Sequence, residues 1–167
     1  MPAGNTYEAI ATYTSPNGTG TNYTFSSIPS TYTDLVLVCS LKATSANSSI
    51  VARFNSDSGS NYSVTQMYGN GSSALSQRFS NQTEVYLSYT GFPTATSTFA
   101  PLIVHFQNYS NTTTNKTFIS RSGYAAAATD ASVGLWRSTS AISSITLYAG
   151  NFFDTGSTFS LYGIKSA

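Results

Sequence analysis

Apolar residues in this chain recur at every second position rather than every third or fourth, in short runs broken by polar turns. The alternation predicts strands over Tyr7–Tyr13, Tyr23–Ile28 and Thr33–Ala43, with a turn at Pro16, Asn17 and Gly18 between the first two. In Thr33–Ala43, Leu35, Leu37, Cys39 and Leu41 share one face and Val36 and Val38 the other, so the start of this strand is expected to be covered on both sides, by a second layer or by a neighbouring subunit. Glu84–Thr90 carries Val85, Leu87 and Tyr89 in register. In Phe99–Tyr109, Leu102, Val104 and Phe106 oppose Ile103 and His105, and Pro101 suits an edge, a bulge or a strand start. Thr117–Gly123, Ser132–Ser138, Ser143–Ala149 and Thr158–Lys165 complete the strand pattern. Helical composition is confined to Gly123–Asp130, around Ala125–Ala128; that is too short for an isolated helix and reads as a loop or one helical turn.

The clearest unit is Ile50–Tyr68. An apolar run climbs to Phe54, a polar loop follows, and alternation resumes at Tyr62, Val64 and Gln66. The spacing predicts a structural hairpin built from Arg53, Phe54, Asn55, Asp57, Gly59, Asn61 and Tyr62. In it Asp57 and Asn61 tie the loop, Gly59 supplies a positive φ, and Phe54 and Tyr62 anchor the strands.

About ten short strands joined by Gly, Asn and Ser turns describe an all-β protein. Long polar connections favour an antiparallel jelly-roll-like β-sandwich over a simple meander. The pattern has no long internal repeat and no linker, so residues 1–167 read as one domain, with 1–6 a candidate amino-terminal arm that orders on docking.

Charge changes the picture most. Charged residues are only 8% of the chain, against roughly 25% in an ordinary soluble protein. Ser, Thr and Asn must therefore keep the surface hydrated. A net charge of +1, with basic residues scattered singly from Lys42 to Lys165, offers no stripe for a phosphate backbone, so nucleic acid is not an expected partner. No apolar run approaches the roughly 20 residues of a membrane-spanning helix, so no membrane association is expected. The opening MPAGNTYEAI lacks the features of a signal peptide, and the single Cys39 reads as a small buried hydrophobe. Sequons at Asn22, Asn61, Asn81, Asn108 and Asn115 follow from the abundance of Ser and Thr.

Candidate chemistry is sparse. His105 is the only histidine and lies mid-strand without a nucleophile motif nearby. One histidine and one cysteine cannot supply a zinc site. Glu8, Asp34, Asp57, Glu84, Asp130 and Asp154 are widely separated and read as turn formers or isolated surface charges rather than a glycosidase pair. The alternation of Asn55, Asp57, Gly59 and Asn61 faintly resembles a calcium loop, but it lacks the EF-hand order and a bidentate glutamate. Neither a cofactor nor catalysis is expected. A sugar could stack on Tyr62, Tyr68, Tyr86, Tyr89, Tyr109, Tyr124 and Trp136 if they were exposed together, although strand aromatics usually pack inside.

Two segments carry a resemblance. RFNSDSGSNYS, Arg53–Ser63, resembles an RFN-x-D-x-G-x-NYS pattern of tailed-bacteriophage structural proteins, and Ile145–Lys165, with GNFFDTGSTFSLYGIK, is similar to the closing strand pair of such proteins. Together they span about a fifth of the chain. The resemblance implies a jelly-roll virion protein, commonly a homotrimer, assembled in the host cytoplasm and carried on the virion surface. Its partners would be itself and the major capsid protein or another virion protein. With neither a coiled coil nor a β-helical shaft in the sequence, a capsid decoration or cement protein is favoured. The alternative is a tail-fibre or receptor-binding module that takes a host glycan.

Overall fold

The computed structural model describes residues 6–44, 49–89, 98–124, 126, 128–151 and 153–165. Among them are twelve strands: β1 (Tyr7–Thr14), β2 (Asn22–Phe25), β3 (Asp34–Leu41), β4 (Ile50–Phe54), β5 (Tyr62–Gly69), β6 (Ala74–Gln82), β7 (Val85–Ser88), β8 (Ala100–Gln107), β9 (Lys116–Tyr124), β10 (Ala128–Trp136), β11 (Ile145–Ala149) and β12 (Thr158–Ile164). None of the described residues is helical. Residues 1–5 of the candidate arm and Thr90, the end of one expected strand, lie outside the described residues. Thr6 receives the Lys165 backbone N–H at 3.1 Å.

The strands form two antiparallel sheets. One runs β1-β12-β3-β8-β9-β10-β5-β6 and the other β2-β11-β4-β7. The chain crosses between sheets at every step except β5 to β6, β8 to β9 and β9 to β10. That winding sets β1, β12, β3 and β8 over β2, β11, β4 and β7 as a jelly roll. Two inserted hairpins, β5–β6 and β9–β10, widen the first sheet to eight strands.

Three expectations are corrected. The stretch Gly123–Asp130 is neither a loop nor a helical turn at its ends, because β9 runs to Tyr124 and β10 starts at Ala128; Ala125 and Ala127 lie outside the described residues. β6 was not expected at all, because its residues are exposed or half-buried and carry no apolar alternation. The structural hairpin of Arg53, Phe54, Asn55, Asp57, Gly59, Asn61 and Tyr62 is not a hairpin. β4 pairs with β11 and β7 in one sheet while β5 pairs with β10 and β6 in the other, so the loop is an arch that carries the chain across the sandwich. Both strands present residues to the same core and to no common ladder.

One apolar cluster fills the space between the sheets, with Phe54 at its aromatic centre. The Phe54 ring lies 5.6 Å from Phe106, 6.2 Å from Phe118, 5.6 Å from Trp136 and 5.9 Å from Tyr62, in tilted or edge-on geometries that aromatic pairs favour. A strand from one sheet thereby engages three strands and the arch end of the other. Two glycines make room for rings. A Cβ on Gly134 would stand 2.0 Å from the Phe118 ring, and one on Gly163 would stand 2.2 Å from the Tyr32 ring. Val36 is buried as expected from two-sided cover, whereas Val38 on the same outer face is exposed. Pro101 is the second residue of β8, a strand start, where its missing N–H is tolerated.

Under the inserted hairpins the core becomes polar. Ser120, Ser122, Asp130, Ser132 and Gln66 are buried on the inner face of the wide sheet, beneath β7. The sequence setting of Asp130 suggests a turn former or an isolated surface charge. It is instead a buried acceptor: Oδ1 accepts the Ser122 hydroxyl at 2.6 Å, and Oδ2 accepts the Ser88 hydroxyl at 3.1 Å and the Tyr89 N–H at 3.0 Å. Gln77 donates to Gln66 at 3.0 Å, and Gln66 donates to the Ser132 hydroxyl at 3.1 Å. Buried polar groups are tolerable here because each finds a partner.

Candidate functional site

The arch between Phe54 and Tyr62 is held by a dense set of hydrogen bonds. Its path begins with Asn55 and Ser56 in left-handed backbone conformation, φ 51° and 59°. Asparagine tolerates that region through local hydrogen bonding. The positive φ expected at Gly59 thus falls elsewhere. Gly59 is needed for space instead: a Cβ there would lie 2.8 Å from Asn61 Nδ2 and 3.1 Å from Asp57 Oδ1.

Asp57 is the clasp. Its Oδ1 accepts the Gly59 N–H at 2.8 Å and Asn61 Nδ2 at 3.2 Å, and its Oδ2 accepts Asn61 Nδ2 at 2.9 Å and Trp136 Nε1 at 2.7 Å. Partial burial acts to raise this carboxyl, but the hydrogen bonds from Trp136, Asn61 and Gly59 outweigh it and hold the group below its ordinary range. Those four contacts occupy the carboxylate's acceptor capacity with protein donors. The resemblance to a calcium loop therefore has a structural explanation in the clasp itself.

Asn55 fastens the other side. Its Oδ1 accepts the backbone N–H groups of Ser143 at 2.8 Å and Ser144 at 3.1 Å, and its Nδ2 donates to the Ala141 carbonyl at 2.7 Å. Backbone bonds from Asn55 N to the Ser144 carbonyl and from Arg137 N to the Asn61 carbonyl add to these contacts. The arch is thus sewn to the β10–β11 connection along its length. Tyr62 closes the base: its hydroxyl donates to the Asp57 carbonyl at 3.0 Å and accepts the Phe54 N–H at 3.0 Å. Burial pushes this phenol up to about 12, so it remains a donor over the ordinary pH range. Lys116, opposite Trp136 in register, is also buried, and its ammonium donates to the carbonyls of Thr114 at 2.7 Å and Thr139 at 3.1 Å. Burial holds that amine below its usual range.

Arg53 stands apart from the clasp. It faces outward from β4, with its guanidinium 3.3 Å from Glu84 and 5.2 Å from the centre of the Tyr148 ring. Of the tyrosine set, Tyr62, Tyr109 and Trp136 are core residues. Tyr68 and Tyr124 are half-buried on β5 and at the end of β9. Tyr86 and Tyr89 do meet. They lie 5.3 Å apart at the β7 end and share Phe79 of β6, at 5.0 and 5.5 Å. Phe79 was invisible to sequence reasoning because its strand was.

The remaining candidates are dispersed. His105 is half-buried on the outer face of the wide sheet, between Val36 and Ile119 in register. Glu8 binds Lys165 and the Tyr32 hydroxyl, Asp154 binds Lys42 at 2.9 Å, and Asp34 accepts the Asn108 N–H at 2.6 Å. Each carboxylate serves a different part of the fold. Comparison with known proteins finds no matching family model, and no curated protein matches the chain.

Proposed function

We propose that this chain is a structural protein of the outer surface of a tailed-bacteriophage particle, a capsid decoration or cement protein that bridges capsid subunits as a homotrimer. The observation that carries the reading is the use made of the phage-like segment Arg53–Ser63. Asn55, Asp57, Gly59, Asn61 and Tyr62 are each required by the arch, so the segment is a folding device that fastens two sheets. A protein whose distinctive segment does this is suited to bearing load, and a surface hydrated by Ser, Thr and Asn binds through area and shape rather than long-range charge. Trimerisation would add avidity, since three weak contacts act together. Purified full-length protein is expected to sediment as a trimer and to co-pellet with heads that lack it. Protein that stays monomeric and leaves such heads bare would overturn the reading.

A second reading, a tail-fibre module for a host glycan, is favoured by one observation. Phe79, Tyr86 and Tyr89 form an aromatic corner with Tyr89 exposed, the kind of platform on which a sugar ring stacks. Binding on a glycan array that Tyr89→Ala abolishes would select this reading; a blank array would remove it.

A further inference from the structure

The outer face of the eight-stranded sheet is apolar where solvent-facing strands are ordinarily polar. Two cross-strand rows define it. One runs Val38, Ile103, Arg121, Ala131, Met67 and Ser76, and the other runs Val36, His105, Ile119, Val133, Thr65 and Arg78. Met67 is 67% exposed, Val133 56% and Ile119 51%, so the middle of this sheet offers apolar side chains to its surroundings. Arg121 stands among them, in the row between Ile103 and Ala131 and two residues along β9 from Ile119. Two open clefts meet at it, one lined by Met67, Ala131 and Ser76 and one by Ile103, His105 and Ile119.

The charge inventory says what can cover this face. The chain has six Asp and Glu side chains, and each of these carboxylates already accepts a hydrogen bond or an ion pair inside the protein: Glu8, Asp34, Asp57, Glu84, Asp130 and Asp154. Arg121 and Arg78 have neither among the described residues, although both are exposed. A second copy of the chain would have to draw the carboxylate for Arg121 from a group already engaged in its own fold. It would set arginine against arginine if packed face to face. A polyanion such as nucleic acid is poorly matched, since two arginines separated by apolar side chains do not track a phosphate backbone. An arginine and a methionine ringed by aliphatic side chains are, in contrast, the composition of a protein-interface centre, where Lys, Asp and Glu are scarce.

We infer that the outer face of the eight-stranded sheet, centred on Arg121, docks a different protein that presents a carboxylate within an apolar surface. In the proposed function this partner is the capsid protein, and that assignment rests on that reading. Arg121 would form the paired charge at the centre while Met67, Ile119 and Val133 exclude water around it.

The test uses full-length protein and heads that lack it. Wild type, Arg121→Gln, Arg121→Glu and the distant control Arg53→Gln are compared for head binding, sedimentation and melting temperature. Arg121 is exposed and unpaired, so its variants are expected to melt like wild type and to keep its oligomeric state. Head binding should weaken at least about tenfold for Arg121→Gln and further for Arg121→Glu. Arg53→Gln should bind like wild type. Equal binding by the two Arg121 variants would overturn the inference and leave the proposed function standing. A change of oligomeric state in those variants would assign the face to a second copy and overturn it too. Heads that fail to bind wild type would remove the proposed function, and the inference with it.

Discussion

The indole of Trp136 donates to the carboxylate of Asp57 at 2.7 Å across 79 residues of sequence. Trp136 ends β10 in the wide sheet, while Asp57 lies in the arch that leaves the narrow one. This bond ties the arch to the wide sheet, and the core ring of Trp136 also packs on Phe54 at 5.6 Å. Replacing Asp57 with Ala strips the acceptor from a buried indole and from Asn61. A cost of about 2–3 kcal/mol in chemical denaturation is expected, in the range of hydrogen bonds to charged groups.

The same carboxylate gives acid sensitivity with a definite sign. Its folded-state pKa is depressed, so the unfolded chain takes up the proton first as pH falls. The stability it contributes is whole above the unfolded value, about 3.9, and is lost as pH falls through the lower folded value. Asp57→Asn should be less stable than wild type at neutral pH. The gap in melting temperature should narrow below about pH 4, and a gap independent of pH would show that Asp57 is not held ionised by the clasp.

Tyr62→Phe isolates the base of the arch. The ring would keep its packing while the Phe54 N–H loses its acceptor and the Asp57 carbonyl its donor. A buried N–H left without a partner costs about 1–3 kcal/mol, to be read as a lower denaturant midpoint with unchanged slope.

Gly134→Ala tests a close approach. The added methyl would meet the Phe118 ring at 2.0 Å in the middle of two paired strands, so the ring must leave its place beside Phe54 and Phe106. A loss of about 1–3 kcal/mol is expected from overpacking. Gly59→Ala should cost less, because the atoms it meets belong to the Asp57 and Asn61 side chains of an exposed loop. Equal losses at the two sites would contradict this ranking.

Cys39 is buried on the inner face of β3, and burial raises its thiol well above the ordinary range. Thiol reagents should leave the native protein unlabelled over hours and label one thiol once it is denatured. Rapid labelling under native conditions would show that β3 opens.

The strands were legible wherever one face meets the core, because a period of two is written locally: Leu35, Leu37, Cys39 and Leu41 declare β3 without reference to any partner. β6 was not legible, since a nine-residue strand with neither face fully buried leaves no apolar signature. In the arch, the residue types Asn55, Asp57, Gly59, Asn61 and Tyr62 could be singled out by their turn chemistry. Their partners could not. Ser143, Ser144 and Trp136 are 79 to 89 residues from their partners and reach the arch only through the fold.

By itself the sequence determined an all-β chain, its apolar faces, its polar surface and the importance of the Phe54–Tyr62 loop, because alternation, turn chemistry and composition act over a few residues. Only the tertiary structure decided that β4 and β5 part into different sheets, that Asp130 and Lys116 are buried, and that Arg121 stands unpaired on an apolar face. Hydrogen-bond ladders are chemically alike from strand to strand, so pairing is chosen by how all the apolar faces close on one core. That closure is a property of the whole chain.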